Sequence, residues 1–529
     1  MTESPSKQAR SDVFLQLARC SEIKLFFLVL IFRLLVLMGM IFTHAVLPKI
    51  IGVELLFDTS MLLHNDTSNQ WVFLDFPRNW DVVHFSHISK YGYSHENVCA
   101  FFPFLPTILR IISWVSKTLL PSSLTVIPVS FLAALLNIFL NAAGAVILRR
   151  ITLLTLVGLP TRDENISLHT GTWLDEVPPP PPSRSSKNTE EDGKAIMLRR
   201  WREVGASILM WILSPAGVFT VVPYTESLFS LLTFLGIYFL IIPSPVGRKE
   251  ALTQAALTEV GAVICFTVAG FVRSNAFICM GFLIYPIFLQ IFFFERYKKR
   301  FHMRYGNNVL ISRWPSFLRC IIVIAEMGII LTPYLVMNYF CFNRFVPLWD
   351  NASKSIIGNR FWAFYGTMQK RYWNVGFLAS YTLKNLPNVF IASPLVYFTL
   401  RTFVKLYLCA SQKKIKSPTS LPCAVEGKNG RISHTHNVRS FISVLKSTFH
   451  VLIQSSNITC LLFMILFGTT MVHVNVVNRF TVSYPALYWI WARQIVWDPM
   501  GGHTVVMFRF FLTWICIGTL FFPNGMPWT

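Results

Sequence analysis

The run Leu25-Phe26-Phe27-Leu28-Val29-Leu30-Ile31-Phe32-Arg33-Leu34-Leu35-Val36-Leu37-Met38-Gly39-Met40-Ile41-Phe42 decides the fold. It continues to Leu47, and roughly 20 apolar residues suffice for a helix to cross a bilayer. The run exceeds a signal-peptide core and carries no small-x-small cleavage site, so it is expected to stay as a first span. Lys7, Arg10, Arg19 and Lys24 would then hold the preceding segment in the cytoplasm. Runs of the same kind recur near 101–118, 125–148, 205–222, 225–243, 255–272, 277–294, 317–340, 385–408, 457–478 and 504–522. A shorter one covers 441–453.

Composition agrees with that reading. The 529 residues are 53% hydrophobic and 15% aromatic, with only 14% charged and a mean hydropathy of +0.51. A soluble domain of this size is excluded. The chain is predicted to be an all-α multi-pass membrane protein, a single membrane domain over 1–529. The net charge of +22 is spread between the spans rather than gathered on a soluble region. It therefore points to cytoplasmic flanks and anionic lipid headgroups, not to nucleic acid. The ten cysteines show no Cys-x-x-Cys pair or Cys/His tetrad, and Cys265, Cys279, Cys460 and Cys516 lie inside apolar runs. Neither a disulfide framework nor a structural zinc site is expected.

Basic loops at 295–316 and 409–440 read as cytoplasmic. The loops 48–100 and 341–384 then fall on the lumenal side, each with a sequon, at Asn65 and Asn351. The linker 149–202 has Arg149-Arg150 and Arg199-Arg200-Trp201-Arg202 at its ends and the prolines Pro178 to Pro182 between them, which reads as cytoplasmic. Strict alternation of the spans would make it lumenal. Either 101–118 or 125–148 fails to cross, or a further span has gone unrecognised. Both lumenal stretches are rich in aromatics, from Trp71, Phe73, Phe76 and Trp80 to Trp349, Phe361, Trp362, Tyr365, Tyr372 and Trp373. These predict interfacial helices and loops.

The chemistry concentrates in the first loop, at Pro77-Arg78-Asn79-Trp80-Asp81-Val82-Val83-His84-Phe85. A carboxylate at the edge of a membrane bundle is costly unless solvated or used. Asp81 is the candidate base, able to accept a hydroxyl proton. The plainer reading is a helix cap at Trp80 or a pair with Arg78. Asp75 and Glu96 are weaker versions of the same idea. His84 and His87 share a helical face, but nothing completes a metal set with His95 and Glu96. No metal ligands are assigned, and a need for divalent metal stays open.

Downstream, Ser214-Pro215-Ala216 and Pro223-Tyr224-Thr225-Glu226-Ser227 interrupt an apolar region. They read as a turn, or as the polar wall of a substrate cavity formed by Tyr224 and Glu226. Arg273-Ser274-Asn275 puts an arginine between apolar runs with no acid nearby in sequence. Such a guanidinium needs an anion, phosphate being the natural one, or Glu226 across the bundle. Arg360, Arg371 and Arg479 are further lumenal cations. Tyr372-Trp373-Asn374-Val375-Gly376-Phe377 combines rings and an amide, the groups that bind sugar faces, although packing explains them equally well. No Gly-rich phosphate loop, Walker motif or Asp-x-Asp pair appears, so a nucleotide donor is not supported.

In order along the chain, these motifs closely resemble the PIG-V family of glycosylphosphatidylinositol (GPI) mannosyltransferases. They are Arg78–Phe85, Tyr91-Gly92-Tyr93, Glu96, Ala100-Phe101-Phe102-Pro103, Ser214-Pro215-Ala216, Tyr224-Thr225-Glu226, Arg273-Ser274-Asn275, Tyr372–Phe377, Leu386-Pro387-Asn388 and Pro527-Trp528-Thr529. The resemblance implies a GT-C-type helix bundle of the endoplasmic reticulum with a lumenal site. It implies dolichyl-phosphate mannose as donor and a GPI-precursor glycolipid as acceptor, receiving its second mannose in α1,6 linkage. Carried over by motif, Trp80 and Asp81 match the first-loop position of the catalytic acid. Asp81 would deprotonate the acceptor's 6-hydroxyl while Arg273 or another lumenal cation stabilises the departing dolichyl phosphate. Trp80, His84, Glu96, Tyr224, Glu226, Arg273, Asn275, Trp373 and Asn374 are the expected substrate-binding set. No cofactor is called for, since the lipid-linked donor is a substrate, and there is room for an accessory membrane subunit. Pro223 stands where the family usually has a small residue, and the Pro-rich linker is longer than usual. Another lipid-dependent mannosyltransferase, a transporter or a scaffold are the alternative readings. A transporter would place charges at the bilayer midplane in symmetric halves, which this chain does not.

Overall fold

A computed structural model describes residues 12–51, 74, 76, 79–119, 127–157, 189–242, 248–295, 297–298, 312–405, 455–526 and 528. Among these the chain is all helix, turn and loop, with no strand. The first helices are α1 (Val13–Arg19), α2 (Glu22–Ile51), α3 (Asp81–Tyr91), α4 (Phe104–Leu119) and α5 (Val129–Leu156). Next come α6 (Thr189–Ile212), α7 (Glu226–Ile241), α8 (Arg248–Val272), α9 (Met280–Phe292) and α10 (Phe317–Phe345). The remainder are α11 (Asn351–Ile357), α12 (Phe364–Trp373), α13 (Leu386–Phe403), α14 (Ser456–Thr470), α15 (Val477–Phe480), α16 (Pro485–Trp497) and α17 (Gly502–Phe521). The segments 22–47, 129–156, 253–272, 274–292, 317–348 and 502–524 are long and apolar enough to cross a membrane. The expected all-α multi-pass architecture is the one observed.

Side-chain contacts give the helix directions. At a lower pole, the start of α2 meets the end of α5 where Arg150 Nε donates to Glu22 at 2.7 Å. There too the end of α16 meets the middle of α6, as Trp497 Nε1 donates to Glu203 at 3.1 Å. The end of α13 joins the turn after α16 through Lys405 and Asp498 at 3.1 Å. At the upper pole, the ends of α2 and α17 join through a hydrogen bond from Thr43 to the Thr519 carbonyl at 2.9 Å. The start of α7 meets the end of α8 where Glu226 faces Arg273 at 3.3 Å. Between the poles, Arg33 of α2 is fully buried, and donates to Asn141 of α5 at 3.0 Å and to the Trp211 carbonyl of α6 at 3.1 Å. A buried guanidinium in apolar surroundings requires such partners.

Two differences from the sequence reading concern which described helices run between the poles. The run 101–118 forms α4, which stays at the upper pole. Its Leu105 and Leu109 cluster with Phe85 of α3 and with Val129 and Ala133 in the first turns of α5. Its other face, with Ile111 and Trp114, is exposed. Conversely, α16 runs between the poles although no apolar run marks it. Pro485 through Ile495 are all buried, and Arg493 and Gln494 depress the mean hydropathy of so short a segment. The two ends of the expected linker 149–202 are helical, 149–156 closing α5 and 189–202 opening α6, both at the lower pole.

Two other runs are broken. The helix in 205–222 stops at Ile212, and 213–225 continues as buried turns around Pro215 and Pro223. The helix in 457–478 ends at Thr470, leaving short turns that present α15 at the upper pole. The run 277–294 is kept, opening on a 3₁₀ turn, Ser274–Cys279, that separates α8 from α9. The segment 441–453, the loop 409–440, Asn65 and the prolines Pro178 to Pro182 lie outside the described residues.

Candidate active site

Asp81 is the first residue of α3, where a carboxylate is favoured by the helix dipole. The chain enters this helix through Trp80 at φ +59°, a conformation an L side chain adopts only under constraint. The constraint is visible at the residues on either side. Asn79 is buried and its amide donates to the Phe522 and Pro523 carbonyls at 3.0 and 3.3 Å. The Asp81 backbone N–H donates to the Tyr224 hydroxyl at 3.1 Å. The carboxylate is thus placed by its backbone, and its side chain is left for other work.

That side chain meets Arg479, whose Nη1 donates to Oδ2 at 3.0 Å. Arg479 Nε donates to Glu226 Oε1, which also faces Arg273 Nη1 at 3.3 Å. The Arg479 guanidinium lies over the rings of Phe219 and Tyr224, at 4.8 and 4.7 Å. Arg273 lies over Phe480 at 4.3 Å and Phe229 at 5.6 Å. Two carboxylates and two guanidinium groups leave the quartet neutral, which makes its burial tolerable. Exposure separates the acids: the Glu226 side chain is 0% exposed and that of Asp81 36%. Asp81 can be reached from outside, and Glu226 cannot.

The structure therefore brings together Trp80, Asp81, Tyr224, Glu226 and Arg273 from three distant parts of the sequence. Arg273 pairs with Glu226, the partner across the bundle that the sequence offered beside phosphate, and any pairing of Asp81 with Arg78 lies outside the described residues. Asn275 is buried behind Arg273, its amide 4.0 Å from the Met464 sulfur. His84, one turn along α3, stacks on Phe101 at 4.6 Å, and Trp373 approaches Phe101 edge-on at 6.0 Å. Among the described residues no group of three or more His, Cys, Asp and Glu side chains is arranged to hold a metal ion.

Glu96 stands apart from the quartet. It accepts hydrogen bonds from Trp349 Nε1, from the Tyr372 hydroxyl and from Arg371 Nη1, the last at 3.0 Å. The Tyr372 hydroxyl is pushed up to about 12, first by burial and then by the Glu96 carboxylate, and so remains a donor. Asn374 terminates α12 in the left-handed conformation at φ +50°, a common helix stop. Both residues shape the wall around the site.

That wall corrects the cysteine reading. Cys99 and Cys341, 242 residues apart, form a disulfide that ties the first loop to the end of α10. No spacing rule announces a pair so far apart. Around it Phe102, Met337, Phe345, Ile357, Phe364 and Met368 make a second small core. It connects to the quartet through Tyr365, whose hydroxyl accepts from Ser274 at 3.0 Å, next to Arg273.

In the sequence Arg479 stands as one expected lumenal cation among several, with Arg360 and Arg371. The signal that singled out Arg273, an arginine ending an apolar run with no acid nearby, applies to it equally. Chemically, the site offers a reachable carboxylate beside a guanidinium held rigidly between rings. That combination suits removal of a hydroxyl proton next to a phosphate.

The family profile described as mannosyltransferase (PIG-V) matches residues 191–529. The GPI mannosyltransferase 2 of Aspergillus fumigatus is 28% identical over 296 residues, 55% of this chain and 58% of that relative's length. The Yarrowia lipolytica protein of the same name is 26% identical over 341 residues, covering 63% and 71% of the two chains. The human GPI alpha-1,6-mannosyltransferase 2 is 23% identical over 518 residues, covering 85% and 87%. No solved structure matches. Asp81 precedes the matched region, which contains Tyr224, Glu226, Arg273 and Arg479. With 191–529 matched, well over half its length, the chain belongs to the PIG-V mannosyltransferase family.

Proposed function

We propose that this chain transfers a mannosyl group from dolichyl-phosphate mannose to a GPI-anchor precursor, making the α1,6 linkage of the second mannose. The observation that carries the reading is Asp81, half-exposed and paired with Arg479 at one pole of an apolar helix bundle. A lipid-linked donor and a glycolipid acceptor both present their polar groups at such a boundary.

The reaction is a single inverting displacement. Asp81 takes the proton of the acceptor's 6-hydroxyl, that oxygen bonds to C1 of mannose, and the C1–O bond to phosphate breaks with its electron pair. General-base assistance contributes about 10²–10⁴-fold. Trp80, Tyr224 and Glu226 position the base and its cation. His84, Phe101 and Trp373 offer ring faces to sugar. The site faces the lumen of the endoplasmic reticulum, on two supports. The Cys99–Cys341 disulfide at the upper pole suits an oxidising compartment. Arg149 and Arg150, at the end of α5, lie at the lower pole beside Glu22, the side expected in the cytoplasm. The loops 48–100 and 341–384 are then lumenal, and the bundle is of the GT-C type.

Asp81→Asn tests the assignment. Transfer of mannose from dolichyl-phosphate mannose in microsomes is expected to fall at least a hundredfold, with the protein still inserted at normal abundance. Native activity in that variant overturns the role of Asp81.

A further inference from the structure

Arg479 is shared between two carboxylates that differ in how firmly they hold it. Its Nε is bonded to Glu226, which is fully buried and also faces Arg273. Its Nη1 is bonded to Asp81, whose side chain is 36% exposed. Rings at 4.8 and 4.7 Å, Phe219 and Tyr224, limit the guanidinium to small movements. The Glu226 contact is the hinge of this arginine, and the Asp81 contact is the arm that can change partner.

We infer that Arg479 is the residue that holds the donor phosphate, and that it passes from Asp81 to the phosphate as the reaction proceeds. The inference rests on the reading of Asp81 as base and of a lipid phosphate as leaving group. Charge conservation supplies the reason. Asp81, Glu226, Arg273 and Arg479 sum to zero, and the donor phosphodiester adds one negative charge. When the hydroxyl proton moves to Asp81, that carboxylate becomes neutral and the quartet becomes +1. In the same step the breaking C1–O bond leaves its electrons on the phosphate, which moves toward −2, since the second ionisation of a phosphomonoester lies near 6. The total is −1 before and after.

The cation released by protonation of Asp81 is thus one hydrogen bond from where negative charge appears. A guanidinium already fixed by Glu226 needs little reorganisation to meet it. Arg273 is less suited. Its exposure is close to that of Arg479, but it lies beyond Glu226 and has no bond to Asp81 among those described.

An exchange of partners makes a prediction of opposite sign for two variants. The purified full chain in lipid nanodiscs would be titrated with dolichyl phosphate, and with dolichol as the neutral control. Arg479→Gln is expected to weaken dolichyl phosphate binding tenfold or more while leaving dolichol unchanged. Asp81→Asn, by removing the competing carboxylate, is expected to tighten dolichyl phosphate severalfold. Because Arg479→Gln leaves Glu226 with less compensation, Arg479→Gln/Glu226→Gln restores neutrality and should show the same weakening. Unchanged or weaker binding in Asp81→Asn overturns the exchange, and unchanged binding in both Arg479 variants overturns the phosphate role. A native chain that does not distinguish dolichyl phosphate from dolichol sinks the lipid-phosphate donor itself, and the exchange with it.

Discussion

Glu226 and Asp81 carry the same functional group in opposite circumstances. Glu226 is sealed off against two arginines, so its role is to hold cations in place. Glu226→Gln leaves Arg273 and Arg479 with one acid between them. Removing one partner from a buried ion pair costs about 3–5 kcal/mol. The thermal midpoint of the detergent-solubilised protein is expected to fall clearly in Glu226→Gln and little in Asp81→Asn; equal shifts would remove the distinction. Asp81 was legible from sequence because an acid beside an apolar run is rare enough to mark. Its partner was not, since Arg479 is 398 residues away and composition carries no pairing information. Arg33 was silent for the same reason: only the approach of α5 and α6 reveals what it bonds.

At the scale of elements, the apolar runs located most helices but misjudged two. Averaged hydropathy sees α4 as a span because it cannot tell an amphipathic helix at the rim from one that crosses. It overlooks α16 because a helix wholly surrounded by protein can carry Arg493 and Gln494 without meeting lipid, and needs no lipid-facing stripe. Close contact between helices is likewise invisible beforehand. In α6, a Cβ built on Gly205 would lie 1.8 Å from the Phe14 carbonyl oxygen of α1. Backbone cannot yield as a flexible side chain does, so Gly205→Ala is expected to displace α1 at a cost of about 1–3 kcal/mol. Amide exchange over Val13–Arg19 would rise sharply; unchanged protection there would contradict the packing.

For the whole molecule, the helix directions place the two ends of α16 at opposite poles. A glycosylation tag in the turn at Gly92–Ser94 is expected to be modified. One in the turn at Asp498–Gly501 is expected to stay unmodified, whereas a chain lacking α16 as a pass would present both turns to the same compartment. Modification at both turns would refute the arrangement of poles. Length, hydropathy and basic flanks by themselves determined that this is an all-α membrane protein, because transfer into lipid depends on local composition. Ordered motifs similarly marked its family and drew attention to Asp81. Only the tertiary structure decided how the described helices run between the poles and which acid is reachable. It also decided that Arg479 joins Glu226 to Asp81 and that Cys99 meets Cys341. These depend on contacts between residues hundreds of positions apart, which form only when the helices pack.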